Sequence, residues 1–289
     1  MSAGTESIMK GEIDSHSHWG AYTPRGRDRL LFLVKAAGLA HGRVKNFIAD
    51  SWLARHPDQP VDIRHQQMKY RLYPQDNVTD RKLLFGSRYR DREELEALRQ
   101  AVTGGGIFVD IGANIGHYTL MAAAFGAGRI VAIEPNPDAL ERLGFNVDAN
   151  GLQHCVDVVQ SALGESEGEA TLYVPVDGDM GGGRVSDRDI AGRQVRVNIR
   201  PLASVLQELG IGRVDALKID VEGMEDRVLL PFFETAPAAL WPHLIIIEHT
   251  SAAEWQRDVL TWLLGHGYRE SARTRSNAML MRAGRAAAP

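Results

Sequence analysis

The chain has 289 residues, 44% of them hydrophobic and 24% charged, with a formal net charge of -4 at pH 7. A chain of this length folds as one large domain or two modest ones and buries roughly 75% of its unfolded surface, and a slightly acidic balance supplies no global attraction to nucleic acid. Cys155 is the only cysteine, which excludes an intrachain disulfide, a cysteine-rich zinc site and a CxxC redox pair.

Residues 1–24 are polar and aperiodic and read as a mobile tail. Nothing near Met1 has the charged, apolar and small-residue layout of a secretory signal, and no apolar run is long enough to span a membrane, so the expected location is cytoplasmic. From Arg25 to His56 apolar residues recur at helical spacing, Leu30, Leu33, Val34 and Ala37 on one stripe and Val44, Phe47, Ile48 and Trp52 on a second. The break near Gly38 and Gly42 predicts two short amphipathic helices. Arg25, Arg27, Arg29, Lys35, Arg43, Lys45 and Arg55 face only Asp28 and Asp50 there. The segment is therefore either a helical lid with solvated charges or a basic patch suited to peripheral contact with an anionic surface, such as a lipid headgroup or a phosphorylated glycan carrier. Partial alternation from Val61 to Tyr73 predicts a small hairpin. A helix over Arg92–Val102, with Glu93, Glu94 and Glu96 toward its N-terminal end, is ended by Gly104-Gly105-Gly106. Residues 25–103 thus form a helical extension with a small β element, ahead of a domain over 104–289.

In that domain short apolar runs alternate with helical stretches: Ile107–Ile111, Ile130–Ile133, Val156–Gln160, Ala216–Ile219 and Leu244–Ile247. Unalternating, β-branched runs of this kind are what strands covered on both faces look like. The expected fold is α/β, a doubly wound and mostly parallel sheet. Asp177 to Arg193, rich in Gly, Asp and Arg, reads as a long loop.

The sharpest feature runs from Phe108 to Thr119, a strand entering a glycine-punctuated turn and then a helix. Gly112 and Gly116 remove Cβ atoms where a ligand and the next helix approach the backbone. Asp110, at the strand's end, is placed to reach a cation. Eighteen residues beyond Gly116 a second apolar strand ends in Glu134, where a carboxylate can accept from both hydroxyls of a ribose. A dinucleotide fingerprint needs G-x-G-x-x-G to converge donors on a pyrophosphate, but Asn114 and His117 occupy the second and third glycine positions. An acidic residue opening the turn repels a pyrophosphate and attracts the amino group and sulfonium of S-adenosylmethionine.

The runs DIGANIGHYTL, AIEPNPDALERL with Asn146 and Asn150 after it, VVQSALGE, DALKIDVEGMEDRVLL and LIIIEH together resemble the FkbM family of methyltransferases, over roughly residues 77–281. The resemblance implies a class I methyltransferase fold, Rossmann-like, with S-adenosylmethionine as donor and usually a hydroxyl oxygen as acceptor. By analogy Asp110, Gly112, Asn114 and Gly116 hold the methionine part, Glu134 the ribose, and Ser161 with Ala162 the adenine edge. Ala113, Tyr118, Pro135 and Asn136 complete the expected donor-binding set. One departure is Asn198-Ile199-Arg200-Pro201-Leu202, where the family commonly has a T-L-D-like segment.

Ligand chemistry in doubly wound folds lies outside the carboxyl ends of the strands, so Asp220, Glu222, Glu248 and His249 are the catalytic candidates. Transfer to an alcohol needs the acceptor aligned with the C–S bond and one group to take its proton. The bland alternatives are that Glu222 caps the next helix and His249 is structural. Tyr118 either touches the methionine part or packs on the sheet, and Phe85 and Tyr89 either close over the donor or fill the core. No His or Cys spacing suggests a transition metal. A Mg²⁺ between Asp220 and Glu222 or Glu248 is compatible with the spacing but not required by it.

The expected partner is a small-molecule or glycan acceptor. Base methylation of nucleic acid is disfavoured, because the fourth strand ends in Asp220-Val221-Glu222-Gly223 rather than an Asn/Asp-Pro-Pro-aromatic turn. Two competing readings are a nucleotide-dependent oxidoreductase of the same architecture and a non-catalytic adenosine-cofactor-binding protein. The sequence carries no indication of oligomeric state.

Overall fold

The computed structural model describes residues 13–36, 42–86, 91–175, 183–185 and 192–282. The extension comprises α1 (Gly26–Ala36), α2 (Gly42–Arg55), β1 (Val61–His65), β2 (Met68–Leu72), α3 (Val78–Phe85) and α4 (Arg92–Val102). There follow β3 (Ile107–Ile111), α5 (His117–Ala124), β4 (Arg129–Ile133), α6 (Pro137–Ala149), β5 (Val156–Val159), β6 (Ala162–Leu163), β7 (Gly168–Val174), β8 (Arg184–Val185), β9 (Arg193–Arg200) and α7 (Leu202–Glu208). The chain then continues through β10 (Ala216–Ile219), α8 (Glu225–Thr235), β11 (Leu244–Glu248), α9 (Val259–Gly265), β12 (Tyr268–Arg273) and β13 (Asn277–Arg282).

Seven strands form the central sheet in the order β12-β13-β11-β10-β3-β4-β5. Its five apolar runs pair in parallel, and β13 enters antiparallel between β11 and β12. Read outward from β3, the order is that of the doubly wound dinucleotide sheet with one antiparallel strand inserted, which is the class I methyltransferase arrangement. Covering both faces explains the unalternating runs. Phe108, Ile130, Ala216 and Ile246 point into the core shared with α4 and α5, whereas Val109, Val131, Leu217 and Ile245 point into the core shared with α7, α8 and α9.

Three parts of the fold depart from the pattern-based expectation. No strand is expected after Ile247, yet β12 and β13 close one edge of the sheet. A second, four-stranded sheet of order β6-β9-β7-β8 is likewise unexpected. Strands β7 and β9 carry Glu169, Thr171, Arg196 and Asn198 among their apolar positions, so one face is solvated and the run is too polar to stand out. The long loop expected over 177–193 contains β8 and the start of β9; residues 176–182 and 186–191, and with them most of that loop, lie outside the described residues.

Residues 13–24, expected as part of a mobile tail, instead lie against the hairpin. Arg71 on β2 is 1% exposed and places its guanidinium on the Asp62 carboxylate at 2.9 and 3.0 Å and on the carbonyls of Asp14, Ser17 and His18 at 2.8–2.9 Å. A buried guanidinium has five N–H donors to satisfy, and the segment supplies three of the acceptors. Residues 1–12 lie outside the described residues. The hairpin is fastened in turn to α6, where Asn146 accepts from the Arg71 N–H at 2.8 Å and Asn150 exchanges bonds with the backbone of Lys69 at 2.9 and 2.8 Å. Phe85, offered as a possible aromatic cover for the donor, packs with Phe32 and Trp52 in the core; Tyr89 lies outside the described residues. Side chains of the extension thus share one continuous core with the sheet. Among the described residues no helix is long and apolar enough to cross a membrane.

Candidate active site

The chain reverses direction across the sheet between β3 and β10, and the crevice there is where doubly wound folds place their ligands. A cavity of about 550 Å³ opens at this point, within the usual size of a small-molecule site. One wall is built by Ile133, Glu134, Pro135, Ser161, Ala162 and Leu163; the other by Lys218, Asp220, Glu222, Glu248 and Thr250. The turn Gly112-Ala113-Asn114 runs between them, and Tyr118 adds an aromatic face.

That turn is held by close backbone approach. Gly112 has φ +71, and a Cβ there would sit 1.9 Å from the carbonyl oxygen of Asp220, so only glycine lets the ends of β3 and β10 meet. Asn114 is left-handed at φ +52. Its N–H donates to Glu134 Oε2 at 2.8 Å, and its side-chain oxygen accepts from Asn77, the N-cap of α3, at 2.9 Å.

Glu134 is 7% exposed, and its second oxygen accepts from the Asn136 N–H at 2.9 Å. Burial pushes its carboxyl up to about 7 against the pull of those two backbone donors. Each oxygen keeps a further lone pair, which a pair of ribose hydroxyls would use. Lys218, wholly unassigned by the sequence reading, lies at the centre. Its ammonium donates to the Gly112 carbonyl at 3.2 Å and sits 3.5 Å from Asp220 Oδ2. Burial disfavours its charge, but the carboxylates of Asp220, Asp110 and Glu134 outweigh that and hold it above the ordinary lysine value. The available signal was a lysine inside a strand whose four residues are all buried.

Gly112, Ala113, Asn114, Tyr118, Glu134, Pro135, Ser161 and Ala162 of the expected donor set line the cavity; Asp110, Gly116 and Asn136 do not. Asp110 is fully buried behind the turn, where its Oδ2 accepts from the Thr119 hydroxyl at 2.7 Å. Burial raises its pKa, with the charge of Lys218 opposing. The carboxylates that line the cavity are therefore those of Asp220, Glu222, Glu248 and Glu134, and that of Asp110 acts on it only from behind, through Lys218. Gly116 makes room for Leu143, whose Cδ1 would lie 2.5 Å from an added Cβ, and Asn136 caps α6 through the Asp138 N–H. Among the catalytic candidates, Asp220, Glu222 and Glu248 line the cavity and His249 does not. The His249 N–H donates to the Ser276 carbonyl at 2.9 Å and its ring lies 3.3 Å from the Thr274 carbonyl, which ties β11 to the β12–β13 turn. Glu222 is left-handed at φ +55, an unusual conformation for a non-glycine residue.

Further wall residues carry no motif in the sequence. Val78, Thr79, Lys82 and Asp91 come from α3 and its sequel, Leu172 from the second sheet, Gly183 from just before β8, and Arg275 to Asn277 from the C-terminal hairpin. Among the described residues neither α1 nor α2 reaches the cavity.

The family model described as the methyltransferase FkbM domain matches residues 110–270, the span that builds both walls. The chain belongs to the FkbM methyltransferase family. This FkbM-family chain is 28% identical over 195 residues to 31-O-demethyl-FK506 methyltransferase FkbM of Streptomyces tacrolimicus, covering 57% of the chain and 73% of that protein. It is 31% identical over 150 residues to methyltransferase sdnD of Sordaria araneosa, covering 42% of the chain and 58% of that protein. It is 28% identical over 208 residues to the AMB antimetabolite synthetase AmbE of Pseudomonas aeruginosa, covering 58% of the chain but 10% of the synthetase. The chain thus spans less than two thirds of the length of two of these three relatives.

Proposed function

We propose that this chain transfers a methyl group from S-adenosylmethionine to a hydroxyl oxygen of a sugar, a glycan unit or another small polyhydroxy metabolite. The observation that carries the reading is one cavity with two chemically different walls at the switch point of a family-typical sheet. The residues present fit the donor. Glu134 offers two lone pairs to a diol, and Ile133, Pro135, Ala162 and Leu163 offer an apolar slot for a flat base. Lys218 suits an α-carboxylate. Asp220, Glu222 and Glu248 oppose a positive sulfur. When bound, the donor supplies a methyl group activated by a positively charged sulfur.

The chain's own residues align and deprotonate. Asp220 and Glu222 reach the cavity on the wall opposite Glu134, so an acceptor held between them has its hydroxyl directed toward the donor side. One of these carboxylates would take the proton of the reacting hydroxyl, a contribution of about 10²–10⁴-fold to such reactions. The wall from α3 and the C-terminal hairpin, including exposed Lys82 and Arg275, selects the acceptor.

Calorimetry tests the donor half: S-adenosylhomocysteine binds and NAD(P) gives no heat. NAD(P) uptake without S-adenosylhomocysteine binding would replace the proposal with an oxidoreductase. A screen of polyols, glycans and oligonucleotides with labelled donor tests the acceptor half, and label entering only an oligonucleotide would overturn the acceptor class. Tight donor binding with no acceptor in the screen would favour a non-catalytic adenosine-cofactor-binding protein.

A further inference from the structure

Glu225, at the start of α8 and 0% exposed, places a third carboxylate next to the acceptor-wall residues Asp220 and Glu248 without itself lining the cavity. Asp220, Glu225 and Glu248 each offer an oxygen within 4.8 Å of the others. Glu225 is held rigidly: its Oε1 accepts from the Val221 N–H at 2.9 Å, and its Oε2 from the Trp255 indole N–H at 2.7 Å. Glu248 is 8% exposed, and its Oε1 is taken by the N–H and hydroxyl of Thr250. Its Oε2 is buried and has no hydrogen-bond partner, and the Glu248 carboxylate lies within 4.8 Å of the other two. An orphaned buried carboxylate oxygen is costly, and two further carboxylates at this range add repulsion. Lys218, 3.5 Å from Asp220, offsets part of that repulsion.

We propose that Asp220, Glu225 and Glu248 bind a hard divalent cation of the Mg²⁺ or Mn²⁺ class at the foot of the acceptor wall. The donor set is all oxygen, with neither imidazole nor thiolate, which selects hard ions over zinc or copper. A doubly charged ion would offset the repulsion among the three carboxylates. Glu248 Oε2 gains the partner it lacks, and the open cavity beside Asp220 and Glu248 leaves coordination positions for water or for two neighbouring oxygens of an acceptor. A vicinal diol is the acceptor unit such a site holds best. With Asp220 engaged as a ligand, the proton of the reacting hydroxyl goes to Glu222. The consequence for the acceptor rests on the methyl-transfer reading; the binding of the ion does not.

Trp255 makes the site readable without activity. Terbium titrated into the full-length protein should give saturable luminescence on indole excitation, displaced by Mn²⁺ or Mg²⁺. Glu248→Gln should weaken terbium and Mn²⁺ binding at least tenfold while thermal unfolding confirms a folded protein. Asp220→Asn, at a more exposed side chain, provides the same test should Glu248→Gln fail to fold. Emission that is absent, not displaced by either ion, or unchanged in the folded variants overturns the proposal. S-adenosylhomocysteine binding is measured in parallel. Its loss with ion binding intact refutes the donor reading alone, and its retention without ion binding refutes this inference alone.

Discussion

Glu134 accepts one backbone N–H on each oxygen and still titrates near 7, because burial outweighs both bonds. The folded value lies above that of an unfolded glutamate, so between about pH 4.5 and 7 the folded state holds a proton that the unfolded state has lost. Stability from this group is fully present at the acidic end of that window and falls as pH rises through it. Urea titrations of the ligand-free protein should show this slope, and Glu134→Gln should flatten it. Two hydroxyl donors from a ribose favour the ionised form, so donor binding should release a proton below about pH 7 and tighten as pH rises toward and past it. Calorimetry in buffers of different ionisation heat measures that release. Asp220→Asn should leave S-adenosylhomocysteine affinity within a few-fold and cut turnover by about 10²-fold or more, read by labelled methyl transfer; unchanged turnover removes Asp220 from the reaction. Glu134 and Asp220 were legible in the sequence because each directly follows an apolar strand. Lys218 acquires a role only where β10 lies beside β3, and Glu225 only where α8 turns back to β11.

The element that organises the site is the turn from β3 into α5. Gly112→Ala would drive a Cβ to 1.9 Å from backbone, and a backbone atom cannot yield as a side chain tip can. A loss of about 3 kcal/mol or more is expected in chemical denaturation. Gly126, also at positive φ with nothing within 4 Å of an added Cβ, is the control, where alanine should cost about 1 kcal/mol. Helix α3 reaches the same turn through its cap: Asn77 accepts from the N–H groups of Thr79 and Asp80 while donating to Asn114. Asn77→Ala should lose about 1 kcal/mol of stability and also weaken donor binding several-fold, an effect a cap with no link to the site would not produce. The turn's existence was readable from glycine spacing. Its dependence on an element more than thirty residues upstream was not, since a side chain–side chain bond leaves no periodicity.

At the scale of the whole molecule, the extension is fastened to the methyltransferase sheet by buried polar groups as well as by apolar packing. Arg71 carries the load, and deleting residues 1–24 would strip three carbonyl acceptors from a guanidinium that is 1% exposed. Such a truncation should lower stability by roughly 3 kcal/mol or more, seen as a lower denaturation midpoint; an unchanged midpoint would show the segment to be dispensable. Asn146 and Asn150, noticed in the sequence only as part of a family-like run, turn out to hold the hairpin against α6. Through them the extension and the sheet form one body, so the wall that α3 contributes is positioned by the same core as the donor wall.

Local chain order was enough to establish the parallel α/β sheet, its glycine turn and the acidic residues at its strand ends, because burial on both faces, left-handed backbone and strand termination are written in consecutive residues. Which of those residues face the cavity was decided only by folding. Asp110 withdrew behind the turn, His249 went to the C-terminal hairpin, Lys218 came forward, and Glu225 came within reach of Asp220 and Glu248, since side chains far apart in the chain meet only after the strands are ordered. The polar-faced second sheet and the wall built by α3 likewise depend on contacts across the sheet, where no local pattern records them.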